Sequence, residues 1–291
     1  MKILRTIAEV RAHVAAARRA GRSVALVPTM GAFHAGPEAL MKAARDGYDD
    51  VVVSLFVNPT QFNETADLAA YPRTEADDVE VAAAAGADVL FAPPVEEIYP
   101  DGFATRVSVG GLTETLEGAS RGAEHFAGVC TVVAKLLNAV APDVAFFGQK
   151  DAQQATVIRR MARDLDFPVE IAVLPTVREP DGLALSSRNA YLGHADRRRA
   201  AALHRALAAA EGAVGAGTTS VAEVLAAARA ELEAEGIEPD YLEARDPDGL
   251  QPVESFNGRP VLVAVAARVG PARLIDNVVI GGAGGDSPRA K

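Results

Sequence analysis

The sequence predicts an α/β protein, with a Rossmann-like doubly wound parallel sheet followed by a smaller C-terminal α+β domain. Short runs of β-branched and aromatic residues alternate with helical segments up to about residue 175. This alternation is typical of parallel strands joined by crossover helices. After Arg188 the alternation stops, and two Ala-rich helical segments precede three strand-like segments. Helices grouped before strands are typical of an α+β domain.

The predicted parallel sheet contains five apolar strands. They are residues 24–27, 51–56, 89–91, 144–147 and 169–173. The helical stretches between and after them are residues 38–46, 74–85, 126–140 and 152–165. Doubly wound sheets bind ligands at the carboxyl ends of their strands. The residues that follow three of the strands are therefore candidates for a site, namely residues 29–34, 58–61 and 148–151.

The C-terminal domain is predicted from a second set of segments. Its helices are residues 195–211 and 221–235, and its strands are residues 241–244, 261–266 and 274–280. We place the domain boundary so that residues 1–176 form the Rossmann-like domain and residues 177–291 form the second domain. The Gly-rich residues 281–291 are predicted to be a flexible tail.

Composition excludes several classes of function. A net charge of −10 argues against nucleic-acid binding, because no basic patch is available to replace condensed counterions. Cys130, the only cysteine, excludes a disulfide framework and is predicted to be a buried structural thiol. Charged residues such as Lys2 and Arg5 interrupt the N-terminal segment, unlike a signal peptide. With no uninterrupted apolar run of about 18 residues, we expect a cytoplasmic protein without a membrane span.

The first candidate segment, residues 28–37, connects a strand to a helix. Such a turn is predicted to point free backbone N–H groups and a helix N-terminus at a phosphate. His34 can donate a hydrogen bond there and stabilise developing charge. The alternative is a plain strand–loop–helix connection in which the histidine is incidental.

The second candidate segment, residues 147–151, lies at the end of a buried strand. Lys150 is placed to meet a phosphate, and Asp151 falls in a first helical turn. Gln154, in the helix that follows, can orient a hydroxyl or carboxylate without adding charge. The alternative is a solvated lysine beside a helix-start aspartate.

The third candidate segment, residues 181–189, falls at the domain junction. Ser186 and Ser187 followed by Arg188 form a clamp suited to a triphosphate, and the alternative is a turn with a helix cap. Each segment is ambiguous alone, whereas three together favour phosphate chemistry. A nearby acidic cluster is predicted to be a solvated helix face, with Mg²⁺ contact as the alternative. The cluster comprises Glu75, Asp77, Asp78 and Glu80.

The three segments, in this order and spacing, resemble the pantothenate synthetase (pantoate–β-alanine ligase) family of the HIGH-motif nucleotidyltransferase superfamily. The resemblance extends over nearly the whole chain. The other matching segments are residues 55–62, 67–74, 98–100, 116–118 and 273–277.

The resemblance implies a two-step reaction. Pantoate and ATP give pantoyl adenylate and pyrophosphate, and the amine of β-alanine then displaces AMP. It also implies a Rossmann-type domain that binds ATP and pantoate, a C-terminal lid domain and a homodimer. The implied substrates are pantoate, β-alanine and ATP with Mg²⁺, without a tightly bound prosthetic group.

The resemblance also implies site residues. Gln61 and Gln154 would hold pantoate, and the ligands of the metal stay open. The residues implied to bind ATP are Met30, Gly31, His34, Gly148, Lys150, Asp151, Val177, Leu185, Ser186, Ser187 and Arg188. Those implied to act in catalysis are His34, Lys150, Ser186 and Arg188, of which Lys150, Arg188 and His34 would neutralise charge on the phosphates.

Three positions depart from the family pattern. Pro37 replaces the second histidine of His-x-Gly-His, and it is expected at the first position of a helix, where proline is well tolerated. Gln149 replaces a glutamate. The loop around Arg121 and His125 is one residue longer than usual, which leaves their roles open.

Two alternatives to the ligase follow from these observations. A nucleotidyltransferase acting on a phosphate acceptor is disfavoured, because Gln61 and Gln154 are neutral where cations would be needed. A non-catalytic or slow paralogue that binds ATP or pantoate is raised by Pro37. Retention of the lysine, the Ser-Ser-Arg clamp and both glutamines favours an enzyme.

Overall fold

A computed structural model describes residues 1–63 and 65–281. The chain divides into two compact units. The first comprises Met1–Gly148 and Gln153–Leu174, and the second comprises Gln149–Ala152 and the described chain from Pro175 onward. Apart from Gly281, the predicted flexible tail lies outside the described residues.

The first unit is built on a six-stranded sheet in which every pair of neighbouring strands is parallel. Its strands are β1 (Lys2–Leu4), β2 (Val24–Thr29), β3 (Asp50–Leu55), β4 (Val89–Phe91), β5 (Val144–Gly148) and β6 (Glu170–Leu174). The predicted doubly wound fold is confirmed. The short edge strand β1 was not predicted, because three residues with only two apolar side chains carry no pattern.

Eight helices belong mainly to this unit. They are α1 (Ile7–Arg19), α2 (Ala35–Gly47), α3 (Thr65–Ala70), α4 (Glu75–Ala84), α5 (Val95–Ile98), α6 (Glu117–Arg121), α7 (Ala123–Val140) and α8 (Ala152–Asp164). Val24–Val27 and Val51–Val53 are fully buried, which explains why these strands are continuous apolar runs rather than alternating ones.

The strand order β1-β4-β3-β2-β5-β6 determines where a ligand is expected. The chain moves outward from β2 in one direction through β3 and β4, and in the other through β5 and β6. The switch point of this sheet therefore lies between β2 and β5, outside the ends marked by Thr29 and Gly148.

Helix α7 is the one described helix that is long and apolar enough to cross a membrane, yet 72% of it is buried within the protein. It carries Glu124 and Lys135, so it is not the uninterrupted apolar run that a span requires. Cys130 lies in this helix, and burial raises the pKa of its thiol to about 12. The thiol is buried, as predicted.

The second unit contains three helices and an antiparallel sheet of order β7-β8-β9. Its helices are α9 (His194–Ala200), α10 (Ala202–Gly215) and α11 (Val221–Glu233), and its strands are β7 (Pro239–Arg245), β8 (Val261–Val269) and β9 (Ala272–Ile280). The α+β prediction is confirmed, but the predicted helix 195–211 is two helices. The break falls at Ala201, where ψ is −15°, and no glycine or proline marks it in the sequence.

Candidate active site

The loop that follows β2, residues 30–34 (the β2 loop), is held by a buried carboxylate. Asp78 of α4 is only 2% exposed. Its Oδ2 accepts the N–H of Ala32 at 3.0 Å, and its Oδ1 accepts the N–H of Phe33 at 2.6 Å. The prediction of a solvated acidic face is therefore wrong for Asp78. It is right for the exposed members of the cluster, which are Glu75, Asp77 and Glu80.

These contacts also correct the prediction that the β2 loop offers free N–H groups to a phosphate. The N–H groups of Ala32 and Phe33 are bonded to Asp78, and that of Gly31 lies 3.4 Å from Thr29 Oγ1. A phosphate here would also meet the negative charge of Asp78. Gly31 has a φ of +88°, and a Cβ there would lie 2.7 Å from Leu55 Cδ1, so the tight loop requires glycine.

His34 is the residue that caps helix α2. Its Nδ1 accepts the N–H of Gly36 at 3.2 Å, so the neutral imidazole carries its proton on Nε2. Pro37 is the third residue of α2, not the first as expected. The helix still tolerates it, because the first helical bond runs from the N–H of Glu38 to His34 O, and no helical bond is lost at residue 37.

The segment after β3 presents Gln61 through a network centred on Asn58, which is 1% exposed. Asn58 Nδ2 donates to Gln61 Oε1 at 3.0 Å and to Gly128 O at 3.1 Å, and its Oδ1 accepts the hydroxyl of Tyr99 at 2.8 Å. Gln61 Nε2 in turn donates to Met30 Sδ at 3.0 Å. The predicted ATP residue Met30 and the predicted pantoate residue Gln61 therefore lie together.

Two features of α7 fix the backbone of this segment. A Cβ at Gly128 would lie 2.4 Å from Thr60 O, so only glycine permits the close approach. His125 Nδ1 lies 2.7 Å from Gln61 O, a bond that requires the proton on Nδ1. His125 thus supports Gln61, while Arg121 Nε donates to Glu117 Oε2 at 2.7 Å.

Asn58, Tyr99 and Asp78 hold these segments in place, a role that sequence reasoning did not predict. Burial raises the pKa of Tyr99, which keeps its hydroxyl protonated and able to donate to Asn58. Asn58 lies two residues after a predicted strand and within segment 55–62 of the family resemblance, and those were the only signals for it. Nothing in the sequence distinguishes Asp78 from its exposed acidic neighbours.

The two neighbouring glutamines at the start of α8 have different environments. Gln153 is buried, and its Nε2 donates to the carbonyl oxygens of Leu112 and Thr115 at 2.8 Å each. Its Nε2 therefore holds the chain at residues 112 and 115. Gln154, the predicted pantoate residue, is half-buried.

In the second unit, the turn Gln149–Asp151 (the Lys150 turn) is held by Asn277 of β9. Asn277 Nδ2 donates to the carbonyl oxygens of Gln149 at 2.9 Å and Lys150 at 3.0 Å. Its Oδ1 accepts Nε2 of Gln149 at 2.8 Å. Lys150 is 17% exposed, with Nζ 3.7 Å from Asp151 Oδ1.

The third candidate segment also lies in the second unit. Arg178 pairs with Asp276 of β9 at 2.6 Å and donates to Gly182 O at 3.0 Å. Arg178 and Ala184 pair as an antiparallel bridge, and the N–H of Leu185 donates to Val177 O at 2.9 Å. Residues 177–185 therefore form a short hairpin.

Ser186 caps the short 3₁₀ turn Ser187–Tyr191 by accepting the N–H of Arg188 at 3.2 Å. Ser187 and Arg188 are exposed. The helix-cap alternative is therefore observed at Ser186, while both neighbouring side chains face solvent. This 3₁₀ turn and the Lys150 turn both pack against β9, so two of the three predicted phosphate segments share one strand.

Within residues 1–63 and 65–281, no group of three or more His, Cys, Asp or Glu side chains is arranged to hold a metal ion.

The fold and the strand-end residues define a doubly wound α/β protein with candidate ligand groups at the switch point of its sheet. Residues 2–279 match the family model described as pantoate–β-alanine ligase. The chain belongs to the pantoate–β-alanine ligase family, and it is a ligase.

Three relatives align with this chain over nearly the whole length of both proteins. Pantothenate synthetase from Moorella thermoacetica is 56% identical over 96% of this chain and 99% of its own. That from Rhizorhabdus wittichii is 53% identical, with the same coverage. A pantothenate synthetase structure from Thermus thermophilus superposes with a TM-score of 0.90 at 48% identity, covering 97% of this chain and all of the other.

A fourth relative was solved with ligands. Pantoate–β-alanine ligase from Francisella tularensis, complexed with β-γ ATP and β-alanine, superposes with a TM-score of 0.78 at 33% identity. The match covers 96% of this chain and 97% of that one.

Proposed function

We propose that the protein condenses pantoate with β-alanine in an ATP-dependent reaction that passes through pantoyl adenylate. The observation that carries the proposal is the match to the ligase family over residues 2–279. The Francisella relative, complexed with β-γ ATP and β-alanine, supports these two compounds as substrates. Mg²⁺ enters as part of the ATP substrate.

The chemistry divides into two displacements. A carboxylate oxygen of pantoate attacks the α-phosphorus of ATP, and the bond to the bridging oxygen of pyrophosphate breaks. The amine of β-alanine then attacks the acyl carbon and loses a proton, and AMP leaves with the electron pair of the acyl–oxygen bond. The first step needs positioned groups that neutralise charge on the phosphates.

The second unit is suited to the triphosphate. We assign this role to Lys150, Ser186 and Arg188 in catalysis, with Asp151, Val177, Leu185 and Ser187 as further ATP contacts. Lys150 and Arg188 are cations, and the carbonyl oxygens of the Lys150 turn are bonded to Asn277. The turn therefore presents Lys150 with two backbone acceptors already occupied, and Asp151 Oδ1 lies 3.7 Å from Lys150 Nζ.

The first unit is suited to the nucleoside and to pantoate. Met30, Gly31 and His34 are assigned to ATP, together with Gly148 at the end of β5. His34 carries its proton on Nε2, which can donate to a phosphate oxygen in the transition state. Gln61 and Gln154 are assigned to pantoate, and the orientation that Asn58 imposes on Gln61 leaves its amide N–H groups as the donors.

Several further assignments stay predictions. They are a cytoplasmic homodimer, a domain division after residue 176, and lid behaviour of residues 177–291. Closure predicts stronger hydrogen-exchange protection of residues 181–189 with ATP and pantoate than without them. Equal protection would contradict the lid.

The function is tested by AMP formation from pantoate, β-alanine and Mg-ATP, with a control lacking β-alanine. Pantoate-dependent exchange of labelled pyrophosphate into ATP without β-alanine tests the adenylate itself. AMP formation without any exchange would favour direct condensation. Family membership favours an enzyme over the non-catalytic alternative raised by Pro37, and the same assays determine whether the adenylation step is slow.

A further inference from the structure

Strand β9 carries two adjacent polar residues that are both buried. Asp276 is 3% exposed and Asn277 is 5% exposed. Successive residues of a strand face opposite sides, so Asp276 shares the core face with Ala272 and Leu274 whereas Asn277 faces away from it. Burying such groups is unfavourable unless every polar atom is bonded. Their partners therefore indicate what they do.

Asn277 uses its whole amide on the Lys150 turn. Nδ2 donates to two successive carbonyl oxygens, those of Gln149 and Lys150, and Oδ1 accepts Gln149 Nε2. The donor and acceptor ends cannot be exchanged, because a rotated amide would point Oδ1 at both carbonyl oxygens. Asn277 therefore specifies one path for the backbone on either side of the Lys150 Cα.

The position of Asn277 is itself fixed. Its backbone pairs with Ala264 in the central strand β8. The preceding residue, Asp276, accepts two bonds from Arg178, at 2.6 and 3.0 Å, and the N–H of Asn277 at 2.8 Å. The strand thus provides a rigid base from which a side chain can orient a neighbouring loop.

We propose that Asn277 is a positioning residue for the reaction, acting through the Lys150 turn to place Nζ of Lys150 for the phosphates. The inference rests on the proposed function, in which Lys150 neutralises phosphate charge. Gln149 completes the arrangement, because its neutral amide donates to Asn277 Oδ1, whereas a carboxylate at this position would have no proton to give.

The test is Asn277→Asp in the full-length protein. Aspartate keeps the shape and still accepts from Gln149, but it loses both donors and sets an anionic oxygen against two carbonyl oxygens. We expect kcat/KM for ATP in pantoate-dependent pyrophosphate exchange to fall by about 10- to 100-fold, the range of an ångström-scale misplacement. Asn257→Asp is the matched control, since Asn257 is exposed in the same unit and undergoes the same charge change. It should stay within about twofold of the parent.

A double-mutant cycle separates positioning from a general structural effect. If Asn277 acts through Lys150, then Asn277→Asp should cost less than about threefold when Lys150 is already alanine. An equal loss in both backgrounds overturns the proposal, as does an Asn277→Asp variant no worse than Asn257→Asp. If Asn277→Asp does not fold, Asn277→Ala is carried through the same cycle with the same two criteria. A parent protein without pantoate-dependent activity instead overturns the proposed function, so the two failures are distinguishable.

Discussion

The β2 loop and the Lys150 turn are each held by one buried polar side chain, but the two side chains have opposite polarity. Asp78 is an anionic acceptor that bonds the N–H groups of Ala32 and Phe33. Asn277 is a neutral donor that bonds the carbonyl oxygens of Gln149 and Lys150. Both loops follow a central strand of the same sheet.

The difference determines which ligand groups each loop can accept. Asp78 consumes backbone donors and adds a negative charge, so the backbone of the β2 loop is poorly suited to a phosphate, and the proposed phosphate contact is left to the His34 side chain. Asn277 consumes backbone acceptors and adds no charge, so its contact leaves fewer groups that repel phosphate near Lys150, although Asp151 Oδ1 lies 3.7 Å from Lys150 Nζ. The polarity of the buried contact, which cannot be inferred from the loop's own sequence, distinguishes the two.

Pro37→His gives the largest expected effect. It tests whether the β2 loop and the start of α2 lack a catalytic group. Residue 37 is three positions after His34, so the new imidazole would lie on the same face of α2. We expect the adenylation step to rise by roughly 10²–10⁴-fold, the range of a positioned acid–base group. Single-turnover pyrophosphate release measures it.

Pro37→Ala is the control for this change, because it restores the N–H without adding an imidazole. Equal rates for the histidine and alanine variants would show that His34 or water already supplies the proton or hydrogen bond. In that case the β2 loop and the start of α2 would lack no catalytic group.

Lys150→Ala tests the Lys150 turn directly. Removing one preorganised charge should lower adenylate formation by about 10²–10³-fold, with the fold intact. Lys42→Ala is the control, since Lys42 is an exposed residue paired with Glu38 on α2. If the activity of Lys150→Ala is within a few-fold of that of Lys42→Ala, Lys150 does not contact the phosphates. The Lys150 turn would then be no better suited to a phosphate than the β2 loop.

Asp78→Asn tests whether the buried acceptor of the β2 loop matters. The amide can accept one of the two N–H groups but turns a donor towards the other, which should lower the free energy of unfolding by about 1–3 kcal/mol. Displacement of the loop should also slow adenylation, by about tenfold to a hundredfold. Chemical denaturation and steady-state kinetics measure the two effects.

Asp77→Asn is the matched control for that change, because Asp77 is exposed on the same helix. Indistinguishable stability of the two variants would mean that the loop does not depend on Asp78. An unexpected gain in ATP affinity for Asp78→Asn would show instead that its charge acts mainly by repelling phosphate.

The sequence predicted most of the fold because each element carries its own pattern. Most of the apolar strands and helices of the sheet are visible as runs and periods, whereas the three residues of β1 and the break at Ala201 lack such signals. Helix α1 was also missed, although it has a capping box and an apolar face formed by Val10, Val14 and Ala17. The candidate site was predicted through segments that follow strands. Asp78 and Asn277 could not be predicted in the same way, because their partners lie 45 to 46 and 127 to 128 residues away along the chain.

The smallest expected effect concerns Gln61, whose side chain links the β2 loop to the segment after β3. Asn58 occupies its Oε1, and one amide N–H contacts Met30, so the remaining donor is the group proposed to meet pantoate. Gln61→Ala should therefore raise the KM for pantoate by about five- to tenfold, the factor for one lost hydrogen bond, and leave the KM for ATP within about twofold. Gln251→Ala, at an exposed position of the second unit, controls for loss of a glutamine. A variant that instead lost ATP affinity would place Gln61 with Met30 in the nucleotide site. The β2 loop and the segment after β3 would then serve one ligand, and the assignment of pantoate would depend on Gln154 alone.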